Sequence, residues 1–180
     1  MIILASGSPR RRELLQTAGV NFKVCAAQGD EVLDPSLHPA DAAVEIARQK
    51  AAEVAEKYPR DCVIGADTIV VVDDLILGKP KDKNDAANML ALLSGREHTV
   101  YTGVCIINDG DENCFAEATQ VEFYPLTPEE ITAYVESGEP MDKAGAYGIQ
   151  GIGCVLVKGI KGDFFNVMGF PVARVLRAIR

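Results

Sequence analysis

The segment Ser6-Gly7-Ser8-Pro9-Arg10-Arg11-Arg12 crowds three cations into the first turns of an expected helix. On stability grounds that is odd. The N-terminal end of a helix dipole is positive, so cations there are mildly unfavourable, and the three also repel one another. The arrangement makes sense where an anion sits at the helix end and meets backbone N–H groups and guanidinium forks together. The plainer alternative is a solvated basic face behind a conventional cap. The spacing favours the anion site, with two of the three arginines directed into it.

Asp67 and Thr68 interrupt the apolar run Cys62–Val72. An ionised carboxylate inside such a strand is costly unless a cation or metal compensates it. Gly65 and Ala66 leave room for a ligand to approach the backbone. The alternative is a strand-end residue bonded to a nearby loop, but the hydrophobic surroundings favour a functional acid. Lys79, in Gly78-Lys79-Pro80, and Lys50, on an alanine-rich stretch, each read either as an anion-facing cation or as a surface lysine.

The tract from Glu139 to Gly153 holds four glycines in nine residues, Gly145 to Gly153, with Asp142, Lys143, Tyr147 and Gln150 among and before them. Glycine at that density implies a special backbone path or close ligand approach. The order G-x-G-x-x-G is missing, so a dinucleotide fingerprint is excluded. The Gln150 amide both donates and accepts, as base-edge reading requires; the alternative is a loop packed on itself.

These residues need elements to hold them. Met1–Ala5 reads as a strand, and Ser8-Pro9 opens a helix that Gly19 closes. Phe22–Ala26 is a second short strand and Gln28–Pro39 a loop. Ala40–Tyr58 is a helix with Val44, Ala47, Ala51 and Val54 along one stripe. Cys62–Val72 is a buried strand, Asp73-Asp74 a turn and Asn84–Leu93 a helix. Thr99–Ile107 and Cys114–Phe123 flank the hairpin signal Asn108-Asp109-Gly110-Asp111. Thr127-Pro128-Glu129-Glu130 is a capping box. Cys154–Lys158 and Phe164–Met168 are expected to pair as strands, and Pro171–Ile179 is the closing helix. This mixture predicts an α/β domain with a mixed sheet over the whole 180 residues.

Composition narrows the function classes. Eighteen basic against 26 acidic residues give a net charge of −8, the wrong sign for a nucleic-acid polymer or an anionic membrane. No run approaches the ~18 apolar residues of a membrane helix. Five widely spaced cysteines without C-x-x-C do not read as a disulfide framework or zinc knuckle, and two histidines do not make a His-rich metal centre. With no leader-like stretch at Met1–Ala5, a cytoplasmic protein is expected.

Taken together, Leu4–Arg11, Gly65-Ala66-Asp67-Thr68, Gly78-Lys79-Pro80, Leu93-Ser94-Gly95-Arg96, Asp142–Gly151 and Val167–Pro171 resemble the Maf family of nucleoside triphosphate pyrophosphatases. The resemblance runs almost the whole chain. It implies a long, bent mixed sheet flanked by helices with a central cleft, similar to inosine triphosphate pyrophosphatases. It also implies cleavage between the α and β phosphates, dependence on a divalent cation (Mg²⁺ or Mn²⁺), and a homodimer. The Asp142–Gly151 tract resembles the branch acting on dTTP and UTP. In that branch the positions matching Arg10, Thr68 and Gln150 bear on substrate choice, and the one matching Asp67 is the proton acceptor. Ser6, Arg11, Lys50 and Lys79 match substrate-binding positions, and Asp30, with Asp67, a metal position, although the family often has glutamate where Asp30 stands. A broader house-cleaning pyrophosphatase for modified nucleotides, or a division regulator that binds nucleotide without turnover, are the alternatives.

Overall fold

The computed structural model describes residues 1–32 and 34–179. Among the described residues seven strands form one mixed sheet: β1 (Ile2–Leu4), β2 (Phe22–Val24), β3 (Cys62–Val72), β4 (Leu75–Leu77), β5 (Glu97–Asn108), β6 (Asp111–Phe123) and β7 (Val157–Lys161). Their order is β2-β1-β3-β5-β6-β7, with β4 paired to β3. β1 runs parallel to both β2 and β3, whereas β4 and β7 are antiparallel to their partners. The helices are α1 (Pro9–Thr17), α2 (Pro39–Ala55), α3 (Lys83–Leu93), α4 (Pro128–Glu136), the single turn α5 (Phe164–Val167) and α6 (Val172–Ala178). The expected mixed α/β class is the observed one.

The chain forms two compact units: Met1–Thr68, Thr102–Glu117 and Gly169–Arg180 make the first, and Ile69–Tyr101 with Ala118–Met168 the second. The first has a core of Ile3, Ala5, Ala47, Ala51, Val54, Val63 and Cys105, all fully buried. Here α2 lies unusually close to its strands. A Cβ on Gly65 would stand 2.2 Å from the Ala47 carbonyl oxygen, and one on Gly103 would stand 2.2 Å from the Ala43 carbonyl carbon. Gly65 was expected to admit a ligand; what approaches its backbone is α2.

The second unit packs α3, α4 and the glycine-rich tract around Leu90, Leu93, Phe123, Tyr134 and Tyr147. The capping box at Thr127 is present in both halves, with Thr127 Oγ1 accepting from Glu130 N–H and the Glu130 carboxylate from Thr127 N–H. The glycine-rich tract forms three short 3-10 turns, Glu139–Asp142, Ala144–Ala146 and Gly151–Val155.

Three expectations about elements need correction. Phe164–Met168 is not a strand: Asp163 accepts from Phe165 N–H at 2.8 Å and opens α5, while Asn166 is buried and donates to the Val100 carbonyl. The strand expected at Cys154–Lys158 runs instead from Val157 to Lys161 as β7, three residues further along, and its partner is β6. Ser8 precedes α1 but its side chain makes no cap bond; its N–H donates instead to Ser6 Oγ.

Candidate active site

In the first unit, β3 carries Asp67 and the facing turns of α2 carry Lys50. The close approach allowed at Gly65 sets the Lys50 ammonium 2.7 Å from Asp67 Oδ1. Both side chains are largely enclosed, 16% and 17% exposed. Glu31 Oε1 reaches the same ammonium at 2.8 Å. Its loop is held along α2 by side chains of that helix. Glu53 accepts from Gln28 and Gly29 N–H, and Gln49 both accepts from Val32 N–H and donates to the Val32 carbonyl. The metal-side carboxylate expected in this loop is Asp30. Asp30 is exposed, and its neighbour Glu31 is the carboxylate that meets Lys50. The missed signal was adjacency: two acids in a row, of which an irregular loop can turn either inward.

Arg11 is the other organising cation. It is buried, and its guanidinium donates to Ser6 Oγ (3.0 Å), the Ala66 carbonyl (2.8 Å), Thr68 Oγ1 (3.0 Å) and the Gly169 carbonyl (2.8 Å). Those bonds use four of its five N–H donors. Burial lowers the Arg11 pKa, Asp67 counteracts that, Arg10 adds to the lowering and Glu31 opposes it. The group is a fixed positive charge beside Asp67, anchored mainly to its own chain. Thr68 Oγ1 also shares a bond with Thr102 Oγ1 at 2.9 Å. Gly169, at φ +105, brings its carbonyl to both Arg11 and Thr68. Arg10 is half-buried, while Arg12 is exposed.

Two carboxylates converging on one positive centre offer the hard oxygen donors that Mg²⁺ and Mn²⁺ take, so Asp67 and Glu31 suit such an ion. A different donor set lies elsewhere. Cys105, Glu112 and Cys114 bring ligand atoms within 4.8 Å of one another. It is thiol-rich, and burial together with Cys114 holds the Cys105 thiol in its protonated form. It does not match a hard divalent ion.

In the second unit, Lys79 is exposed and follows Gly78, whose carbonyl accepts from Gly145 N–H at 3.0 Å. Gln150 is exposed and stands just before the turn Gly151–Val155.

The family model described as Maf-like protein matches residues 1–180. The chain belongs to the Maf-like family. A dTTP/UTP pyrophosphatase from Geobacillus sp. (strain WCH70) is 50% identical over 179 residues, covering 99% of this chain and 96% of the relative. One from Bacillus cytotoxicus is 49% identical over 178 residues, covering 99% and 93%. One from Halalkalibacterium halodurans is 49% identical over 179 residues, covering 99% and 94%. Among solved structures, a nucleoside-triphosphatase / dITP/XTP pyrophosphatase from Mycobacterium abscessus aligns with a TM-score of 0.47 at 14% identity, covering 99% of this chain and 94% of that one. Among the described residues of this Maf-like chain, no helix is long and apolar enough to cross a membrane.

Proposed function

We propose that this chain is a metal-dependent nucleoside triphosphate pyrophosphatase that hydrolyses dTTP and UTP to the nucleoside monophosphate and pyrophosphate. Relatives named for that activity match it from end to end at about half identity. The observation that carries the reading is the Lys50–Asp67 pair: an enclosed carboxylate held by an ammonium, yet open enough for water to reach.

Asp67 accepts a proton from a water molecule. The water oxygen forms a bond to the α-phosphorus, the α–β bridging P–O bond breaks, and its electron pair leaves with pyrophosphate. Asp67 Oδ1 is tied to Lys50, so Oδ2 takes the proton. Lys50 fixes the acid's orientation and, with the anchored charge of Arg11, offsets the negative charge of the polyphosphate. Ser6 holds the turn at the start of α1 through its bonds to Ser8 and Arg11. A divalent cation, when bound by Asp67 with Glu31 or Asp30, supplies neutralisation of phosphate charge. Lys79 is assigned to phosphate neutralisation, and Arg10, Thr68 and Gln150 to choice of base; the family resemblance supports these roles. A homodimer working in the cytoplasm is part of the same reading.

The test is pyrophosphate release from UTP, dTTP, CTP and GTP with and without Mg²⁺. Metal-dependent release favouring UTP and dTTP is expected. Tight binding without turnover would favour a nucleotide-sensing regulator, and a flat profile a broader house-cleaning enzyme.

A further inference from the structure

Glu139 has no part in the chemistry above, yet it gathers an unusual set of donors. Its Oε1 accepts from Tyr134 Oη–H at 3.0 Å and from Gly153 N–H at 2.9 Å. Its Oε2 accepts from Ile152 N–H at 2.9 Å. The same Tyr134 hydroxyl accepts from Gly148 N–H at 3.1 Å. One carboxylate and one buried phenol therefore hold the backbone on both sides of Gln150, two residues before it and two and three residues after it. Gln150 itself projects as an exposed residue of the braced loop.

The glycines of the tract fit this brace. Gly151 has φ +67, and a Cβ there would stand 2.6 Å from Glu139 Oε2. A Cβ on Gly153 would stand 2.2 Å from the Gly148 carbonyl oxygen and 2.6 Å from the Tyr134 hydroxyl. A loop this rich in glycine loses much conformational freedom when a ligand orders it. Ordering it in advance, by charge-assisted bonds from a residue outside the loop, removes that cost from the binding step.

We propose that Glu139, seconded by Tyr134, is a positioning residue for base recognition: its carboxylate holds the Gly148–Gly153 loop in the shape that lets Gln150 read the pyrimidine edge. The proposal rests on Gln150 having that reading role.

The test compares Glu139→Gln, Tyr134→Phe, Gln150→Ala and the Glu139→Gln/Gln150→Ala double variant of the full chain, by kcat and KM for UTP, dTTP, CTP and GTP, with thermal unfolding alongside. A glutamine cannot accept all three donors, because its NH₂ group faces an N–H. Glu139→Gln should raise KM for UTP and dTTP about 5- to 20-fold, as loss of a charge-assisted bond does. It should change kcat much less and flatten the preference among bases. Tyr134→Phe should act in the same sense more weakly, and it serves if the first variant does not fold. In the Gln150→Ala background, Glu139→Gln should flatten preference no further. An equal effect of Glu139→Gln with and without Gln150, or an unchanged preference in a folded Glu139→Gln or Tyr134→Phe protein, overturns the proposal. If Gln150→Ala alone leaves preference intact, the base-reading role fails first and the brace fails with it as a specificity device. Pyrophosphate release by wild type remains a separate check on the activity.

Discussion

The Lys50 ammonium lies 2.7 Å from Asp67 Oδ1, across a helix–strand contact that only glycine at position 65 permits. Ion pairs this enclosed seldom add net stability, because removing both charges from water costs about as much as their attraction returns. In the proposed function their placement serves the chemistry instead. The pair gives Asp67 one oxygen tied in a fixed orientation and the other available, as a general base needs.

Asp67→Asn keeps the shape of the side chain and removes its basicity. It should cut kcat for UTP about 10²–10⁴-fold with little change in KM. Steady-state pyrophosphate release measures both, and near-normal turnover would remove Asp67 from the role of base.

Lys50→Met leaves two carboxylates, Asp67 and Glu31, facing each other without their shared cation. Turnover with Mg²⁺ should fall about 10²–10³-fold, the scale of losing one preorganised electrostatic group. A loss under about threefold would make Lys50 a mere support for the loop that carries Glu31, by the same scale.

Gly65→Ala tests how the sequence positions that pair. A methyl group 2.2 Å from the Ala47 carbonyl oxygen must push α2 off the sheet. Overpacking of that kind costs about 1–3 kcal/mol or more. Thermal unfolding should show the lower stability, and kcat should drop as Lys50 moves away from Asp67. Full stability with full activity would mean that the helix–strand contact does not set the site.

His98 predicts a pH dependence of stability. It is buried, bonded through Nε2 to Tyr147 Oη at 2.7 Å and edge-on to Phe123, while Nδ1 is buried without a partner. Burial pulls its pKa down from 6.5 to about 4. Between those values the unfolded chain binds a proton that the folded chain does not, so stability is full above about 6.5 and falls as the pH drops toward about 4. Urea unfolding across that window should show a slope that His98→Gln flattens. Parallel curves for the two proteins would contradict this reading.

Much of the candidate site was legible because its residues sit in strongly patterned elements. The apolar, β-branched run Cys62–Val72 is β3 to the residue, so Asp67 and Thr68 stood out as polar groups in a strand. The cationic cluster at Arg10–Arg12 was legible as an anomaly, but its resolution was not. Arg11 turns inward because acceptors distant in sequence, at Ala66, Thr68 and Gly169, await it. Nothing local encodes that. Glu31 and Glu139 were illegible for a similar reason: each works through partners brought by other elements. The strand β4 escaped notice because three residues after a tight turn carry no periodicity; Asp73 and Asp74, both at positive φ, reverse the chain and pair Leu75–Leu77 back on β3. Phe164–Met168 misled because aromatic and β-branched residues suit a strand, while a single cap at Asp163 and a buried Asn166 decide for a helical turn.

The central claim is attack of an Asp67-activated water on the α-phosphorus, and hydrolysis of UTP in isotopically labelled water tests it most directly. With Mg²⁺ present, the account predicts label in the nucleoside monophosphate, none in pyrophosphate, and labelled product formed about 10²–10⁴-fold more slowly by Asp67→Asn. Label in pyrophosphate, or release of inorganic phosphate in place of pyrophosphate, would contradict it.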